Sequence, residues 1–522
     1  MNPLILLVLG LAIVLGGILW LRLHPFLALI LGAFAVGGLT GADHLKAAME
    51  AKYRGDLTRA AIEKEVVREI EVLKKDGQSF DVPAIRKEAK LNVQKRHEEF
   101  KALASAKAKD FSKSNTLLSR ITAAFGSTCG KIGLLIAMAC VIGRCLLASG
   151  AAERIVRGAL SLVGERGAPL AFSGSAFVLA IPVFFDSVFL LSIPLAKATW
   201  LKVRKNYLLF IAALLAGGTM AHSLVPPTPG PLFVAEELGV NIGTMILVGI
   251  IVGIICSAVG LLYARWLNQR MEIPVRESEE AMSKLEELSS RNLSELPSLW
   301  VSLFPILLPV VMISGATIYK SGLDPAETVS SLSALGDKNI ALMIAAAAAM
   351  VLAALRLRDG KALGEQVQQA MQEAGLIILI CCAGGTFGAM LQQSGIGPHI
   401  SGMTGNKQLD FGLLPLAFII TAIIRGAQGS ATVAMFTGVA IIASLAPDVD
   451  LLSYHPVYLA VAIGCGSKPF PWMNDSGFWV VSKMSGMTEK ETLKVFTPLL
   501  TIMGFTGIVV TMIAAKVFPL VS

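Results

Sequence analysis

The chain has 522 residues; 54% are hydrophobic and only 16% are charged, with a mean hydropathy of +0.67. A soluble domain carries roughly 25% charged residues, so this composition excludes a secreted, fibrous or disordered chain. The charge is uneven: 29 of the 82 charged residues lie between Lys46 and Lys113. The pattern predicts an all-α polytopic membrane protein with one soluble insertion. The net charge of +8 sits in short loops and in the mixed-sign insertion, so no nucleic-acid partner is expected, and the bilayer is.

Spanning helices need about 20 apolar residues. In chain order, strong candidates are Leu4–Leu21, Phe26–Leu39, Ile132–Ala148, Ile242–Tyr263, Leu299–Ile318, Ile340–Leu355, Leu376–Leu391 and Leu499–Phe518. The first lacks a basic flank and reads as a retained span, not a cleaved leader. Residues 43–118 read as a charged helical insertion, either a helical hairpin or a partner-binding arm. Five segments follow: 1–42 with two spans, 43–118, a transport core at 119–264, a hydrophilic linker at 265–298 and a second core at 299–522.

Two apolar regions, about 168–240 and 411–482, are repeatedly broken. The first contains Pro182, Asp186 and Pro194, then Val225-Pro-Pro-Thr-Pro-Gly-Pro231. The second contains Arg425-Gly-Ala-Gln-Gly-Ser430, Gly464-Cys-Gly-Ser-Lys-Pro-Phe-Pro471 and Asn474-Asp-Ser-Gly477. A shift of 245 superposes them without a gap. Gly143 falls on Gly388, Ser149-Gly150 on Ser394-Gly395, Pro226 on Pro471 and Phe233 on Phe478. Helix breaks at matching places of two halves mark a transporter binding site. Irregular backbone at membrane depth must be buried in protein or hydrated by a cavity. Each half is therefore expected to hold one re-entrant hairpin and one discontinuous helix.

Arg154, Arg157, Arg166, Lys197, Lys202, Arg204 and Lys205 flank the first hairpin, whereas Asp448 and Asp450 follow the second. The positive-inside rule puts the first set in the cytoplasm and the second outside, which is inverted topology. Ten spans and two hairpins result, with both termini and the insertion outside.

Ionisable residues at membrane depth are costly and point to function. Asp186 lies among aromatics with Ser187 beside it; it reads as a proton carrier or as a helix cap. His222 opens the Pro-rich break, where it can titrate or bond a freed carbonyl. Thr228 lies inside that break. Gln428, Gly429, Ser430 and Thr432 form the second hairpin tip, where a helix N-terminus can face a carboxylate. Asn474, Asp475 and Ser476 form the second break, or a simple Asx turn. These are the expected substrate-binding residues, with Asp186, Asp475 and His222 as candidates for proton coupling. Arg425 can pair with a substrate carboxylate or anchor its hairpin. No nucleotide-binding loop, zinc-protease helix or nucleophile elbow occurs, and the seven cysteines make no CxxC. No enzyme activity, metal or cofactor is expected.

At these motifs the sequence resembles the gluconate permease (GntP) family of bacterial proton symporters. The stretches that carry the likeness are Phe184-Phe-Asp-Ser-Val-Phe-Leu190, His222-Ser-Leu-Val-Pro-Pro-Thr-Pro-Gly-Pro-Leu232, Ala427-Gln-Gly-Ser-Ala-Thr-Val-Ala434 and Asn474-Asp-Ser-Gly-Phe-Trp479. Tyr207-Leu208, Leu238-Gly-Val240 and Tyr263-Ala-Arg-Trp266 add to it. The resemblance implies an inverted-repeat secondary transporter of the bacterial inner membrane, importing a gluconate-like organic anion with protons. The residues leave open another organic anion, sodium coupling, a membrane-embedded sensor and association into homo-oligomers. Pro471-Trp472, Lys468 and the 43–118 insertion depart from the family's usual pattern.

Overall fold

The computed structural model describes residues 2–76, 82–276, 293–321, 336–396, 399, 411–445 and 452–520. Among these, every regular element is a helix. The chain opens with α1 (Pro3–Leu19) and α2 (Pro25–Leu39), each with proline in its first turn, where the missing N–H costs nothing. The path bends by 105° after α2 into α3 (Ala42–Lys75). Helices α4 (Val82–Gln94) and α5 (His97–Ser114) fold back along α3. Two small cores hold them: Val66 and Ile70 with Ile85 and Ala89, and Leu45 and Met49 with Ala108. The insertion is thus a helical hairpin with a split second arm.

Helix α6 (Leu117–Ala148) starts at Thr116, whose hydroxyl accepts from the Ser119 N–H. It is followed by α7 (Ala151–Val163), a helix with one buried face, Ala151, Ala152, Ile155 and Val156, and an exposed tip at Leu162. Helices α8 (Ala168–Leu179) and α9 (Phe185–Val203) pack on each other as the first hairpin. Then come α10 (Tyr207–Leu224), the short α11 (Pro229–Glu237) and α12 (Ile242–Asn268). The second half opens with α13 (Leu299–Ser321) and α14 (Lys338–Leu357), then α15 (Gly360–Gln393). Its hairpin is α16 (Leu413–Gln428) with α17 (Ala431–Leu445). The broken helix is α18 (Val457–Gly466) with α19 (Ser476–Ser485), and α20 (Glu489–Val517) closes the chain.

The 245-residue offset is visible in the helix boundaries. Helix α6 ends at Ala148 and α15 at Gln393; α8 begins at Ala168 and α16 at Leu413. The counterpart of α7, like Asp448 and Asp450, lies outside the described residues. Helices α6 and α15 run antiparallel along each other. Thr128 lies against Gly385, Gly133 against Ile378, and Arg144 pairs with Glu373. One half is therefore inverted relative to the other. The halves also exchange partners: α9 packs on α19, and α17 packs on α11.

Among the described residues, seven helices, counting α10–α11 together, are long and apolar enough to cross a membrane, and an eighth passes if the bent α2–α3 pair is one span. The expected count of ten also needs α1, α2 and the broken α18–α19 to cross. The largest departures from the expected boundaries are two helix starts. Helix α6 begins 15 residues before Ile132 and α15 begins 16 before Leu376. These extra turns carry Ser, Thr, Gln and Lys, so hydropathy does not register them, yet nothing in them stops a helix.

Candidate functional site

The breaks sit where the sequence forbids helix. Four prolines between 226 and 231 remove donors and clash with the preceding turn, so α10 stops at Leu224 and α11 restarts with Pro229 in its first turn. The Thr228 hydroxyl is spent locally, donating to the Val225 carbonyl at 2.7 Å. Gly230 lies against the end of the Met435 side chain of α17, which a Cβ there would displace. In the other half, α18 ends at Gly466, and Asp475 starts α19 by accepting from the Gly477 N–H at 2.8 Å. The Asx-type turn is real, and Asp475 does more besides.

Its second carboxylate oxygen pairs with Arg425 Nη2, and both side chains are almost wholly buried. Arg425 stands in the last turn of α16, so the pair joins the second hairpin tip to the break between α18 and α19. Gly429 turns the tip with φ +88°, and a Cβ there would fall 2.1 Å from the Asn474 carbonyl oxygen, so only glycine permits this approach. Asn474 Nδ2 donates to the Gly426 and Ala427 carbonyls at 2.9 and 3.2 Å, and Trp472 Nε1 to Gly426 at 2.8 Å. Ser430 accepts from the Val433 N–H at 3.4 Å, as expected of a cap for α17. Gln428 folds back, donating to the Ser430 carbonyl at 3.1 Å.

Asp186 reaches the same place from the other half. A Cβ built on Gly477 would lie 3.3 Å from Asp186 Oδ1 and 3.3 Å from Asp475 Oδ1, so the two carboxylates flank one glycine. The capping reading of Asp186 does not hold. The N-cap of α9 is Phe184, which makes no side-chain cap bond, and Asp186 is the second helical residue, in the first turn, where the helix N-terminus favours a negative charge. His222 packs edge-on against Phe184 with ring centroids 5.9 Å apart, and its Nδ1 is buried without a hydrogen-bond partner. Buried Lys468, at the end of α18, lies within electrostatic range of Arg425, Asp475 and His222. Next to it, Ser467 donates to the Ser223 hydroxyl at 3.2 Å, joining the two breaks.

The structure thus gathers Asp186, His222, Gly429, Asn474 and Asp475 with Arg425 and Lys468. Three expected residues point elsewhere. Ser187 lines a shallow cleft with Pro182, Phe184, Arg144 and Glu373, Thr228 is committed to its own turn, and Ser476 is exposed. Thr432 is half-buried in the first turn of α17. Arg425 and Lys468 were the residues a pattern of motifs undervalued; their signal was a cation inside an apolar run. Among the described residues, no group of three His, Cys, Asp or Glu side chains is placed to hold a metal.

Three atoms in this corner are buried without a hydrogen-bond partner: Arg425 Nε, Arg425 Nη1 and Asn474 Oδ1. Buried polar groups are nearly always satisfied, so unpaired donors on a cation beside an unpaired acceptor suit a polar anionic ligand.

The model of the GntP family permeases matches residues 104–517. A permease of Haemophilus influenzae with no assigned substrate is 35% identical, over 77% of this chain and 83% of its own. A gluconate permease of Pseudomonas aeruginosa is 31% identical, over 75% and 86%. The low-affinity gluconate transporter of Escherichia coli K12 is 30% identical, over 74% and 86%. Among solved structures, the YdaH transporter of Alcanivorax borkumensis superposes with a TM-score of 0.57 at 16% identity, covering 77% of this chain and 89% of that one. The fold is that of a transporter, the family is one of permeases and not enzymes, and the chain belongs to the GntP permease family.

Proposed function

We propose that the protein imports a small sugar acid, gluconate or a close relative, across the bacterial inner membrane together with protons. The cluster of buried Arg425, Asp475 and Lys468 with half-buried Asp186, between the hairpins and helix breaks, carries this reading, and relatives named gluconate permease support the substrate. With Lys468 as an ammonium ion, the two cations balance the two carboxylates. A monoanion entering alone would leave one uncompensated charge in a dry site, which is expensive. A proton on Asp186 removes it. Anion and proton then favour each other's binding, the linkage a symporter needs.

Unlike registers of the two hairpins support the way access alternates. A Cβ built on Gly388 of α15 would lie 3.1 Å from Ala440, well along the second arm of its hairpin. The equivalent Gly143 of α6 instead meets the tip of the first hairpin, where a built Cβ would lie 3.2 Å from the Pro182 carbonyl oxygen. Exchanging the two registers carries residue 195 to the place now held by the tip. Ten helical residues at 1.5 Å rise make this a slide of about 15 Å. Alternating access would be the movement of hairpins and broken helices past α6 and α15. With basic loops inside, the present arrangement has its site displaced toward the cytoplasm. Uptake of labelled gluconate by proteoliposomes, with and without an imposed pH gradient, tests the reading; a protein that carries no sugar acid refutes it.

A further inference from the structure

We infer that the corner between Arg425 and Asn474 selects a carboxylate with a hydroxyl on the adjacent carbon, a 2-hydroxy acid. This deepens the transport reading and rests on it for the choice of ligand. Arg425 Nη2 is committed to Asp475, so Nε and Nη1 are the donors left for an incoming anion. Guanidinium N–H groups bond carboxylate oxygens more strongly than neutral donors do. Asn474 settles what stands next to that anion. Its Nδ2 donates to two carbonyls, Gly426 and Ala427, which a carbonyl oxygen could not do. The amide orientation is therefore fixed and the unpaired atom, Oδ1, is an acceptor that needs a donor. A ligand hydroxyl supplies one; a ketone, a methylene or a second carboxylate does not. Gly426 is bonded to Asn474 and follows Arg425, while Asp475 follows Asn474 and is bonded to Arg425. That closed ring of contacts holds the anion donors and the hydroxyl acceptor in one corner, the juxtaposition from which recognition of two neighbouring carbons of one ligand is inferred.

The discriminating experiment edits the ligand and leaves the protein intact, so misfolding cannot imitate the result. Unlabelled D-gluconate, 2-deoxygluconate and 3-deoxygluconate compete against labelled gluconate uptake by the full-length protein in proteoliposomes. An acceptor left unpaired in a buried site costs about a 10- to 100-fold loss of affinity. The 2-deoxy compound is expected to compete that much more weakly, and the 3-deoxy compound within a few-fold of gluconate. Equal competition by the 2-deoxy compound overturns the inference and leaves sugar-acid transport standing. If gluconate itself is not carried, thermal stabilisation of the purified protein by glycerate against 3-hydroxypropionate decides the same point. Stabilisation by glycerate alone supports a 2-hydroxy-acid site, and equal effects, including none from either, overturn it. Arg425→Lys keeps the charge facing Asp475 but not the guanidinium donors. Its KM for gluconate is expected to rise about tenfold, and an unchanged KM in a protein that elutes as a folded species counts against the assignment.

Discussion

Arg425 and Asp475, fifty residues apart, form a buried ion pair that fastens the tip of the second hairpin to the break in the neighbouring helix. Asp475 also caps α19 through its other oxygen, so one side chain sets the start of a helix and the position of a hairpin. Asparagine caps a helix about as well as aspartate, which allows the two roles to be separated. Asp475→Asn should lose the charge pair and keep the cap. A guanidinium left unpaired in the interior costs about 3–5 kcal/mol, so the variant should melt well below the parent in detergent. A melting temperature within a degree of the parent would mean that the pair is hydrated in the functional protein.

Asp186 is assigned the proton. Asp186→Asn should abolish accumulation against a gradient while exchange of internal for external substrate persists, because a neutral amide mimics the protonated carboxyl permanently. Uphill uptake with unchanged pH dependence in this variant would move the coupling role to Asp475 or His222.

The insertion is expected to be separable. The Gly37 Cα faces Leu117, and Arg120 Nη2 donates to the Gly37 carbonyl at 3.0 Å, so the chain leaves and rejoins the membrane part at nearly one place. The helices between have their own small cores, and most of them precede the residues that the family model matches. Joining Ala42 to Asn115 with a few glycines and serines, which preserves the Thr116 cap, should retain at least half of the transport rate. A stable, membrane-inserted but inactive product would place α3–α5 in the mechanism.

The sliding movement predicts a pair of cross-links. With the seven native cysteines replaced, Gly388→Cys with Ala440→Cys should join readily in the arrangement seen here. Gly143→Cys with Leu195→Cys should join only in the opposite arrangement, and either link should stop transport. If the second pair never forms while transport runs, the hairpins do not exchange registers. In the same cysteine-free background, Arg204→Cys should label only from the cytoplasm and Ser453→Cys only from outside, as inverted halves require.

Much of this was legible in the chain. The 245-residue offset needed only glycines, serines and prolines at matching positions, because backbone constraints at close contacts leave few alternatives. The breaks were legible because proline and Asn-Asp-Ser-Gly have local effects. What sequence did not reveal was partnership. Nothing near Arg425 marks Asp475 as its counter-ion, and nothing near Asp186 shows that it shares Gly477 with Asp475. Asp186 itself was open to a capping reading that only the position of Phe184 excludes. Helix ends beyond the membrane were missed at Leu117 and Gly360 because hydropathy detects the apolar part of a helix and not the helix. The unlike registers at Gly143 and Gly388 could not be seen at all, since they describe which of two arrangements the same contacts adopt.

Proton-coupled transport of a sugar acid is tested most directly by initial uptake of labelled gluconate into proteoliposomes at zero membrane potential, with the outer pH one unit below the inner. The account predicts transient accumulation above the equilibrium level that collapses on adding a protonophore and is absent in Asp186→Asn. Accumulation that needs sodium instead, or uptake that never exceeds equilibrium under the pH gradient, would contradict it.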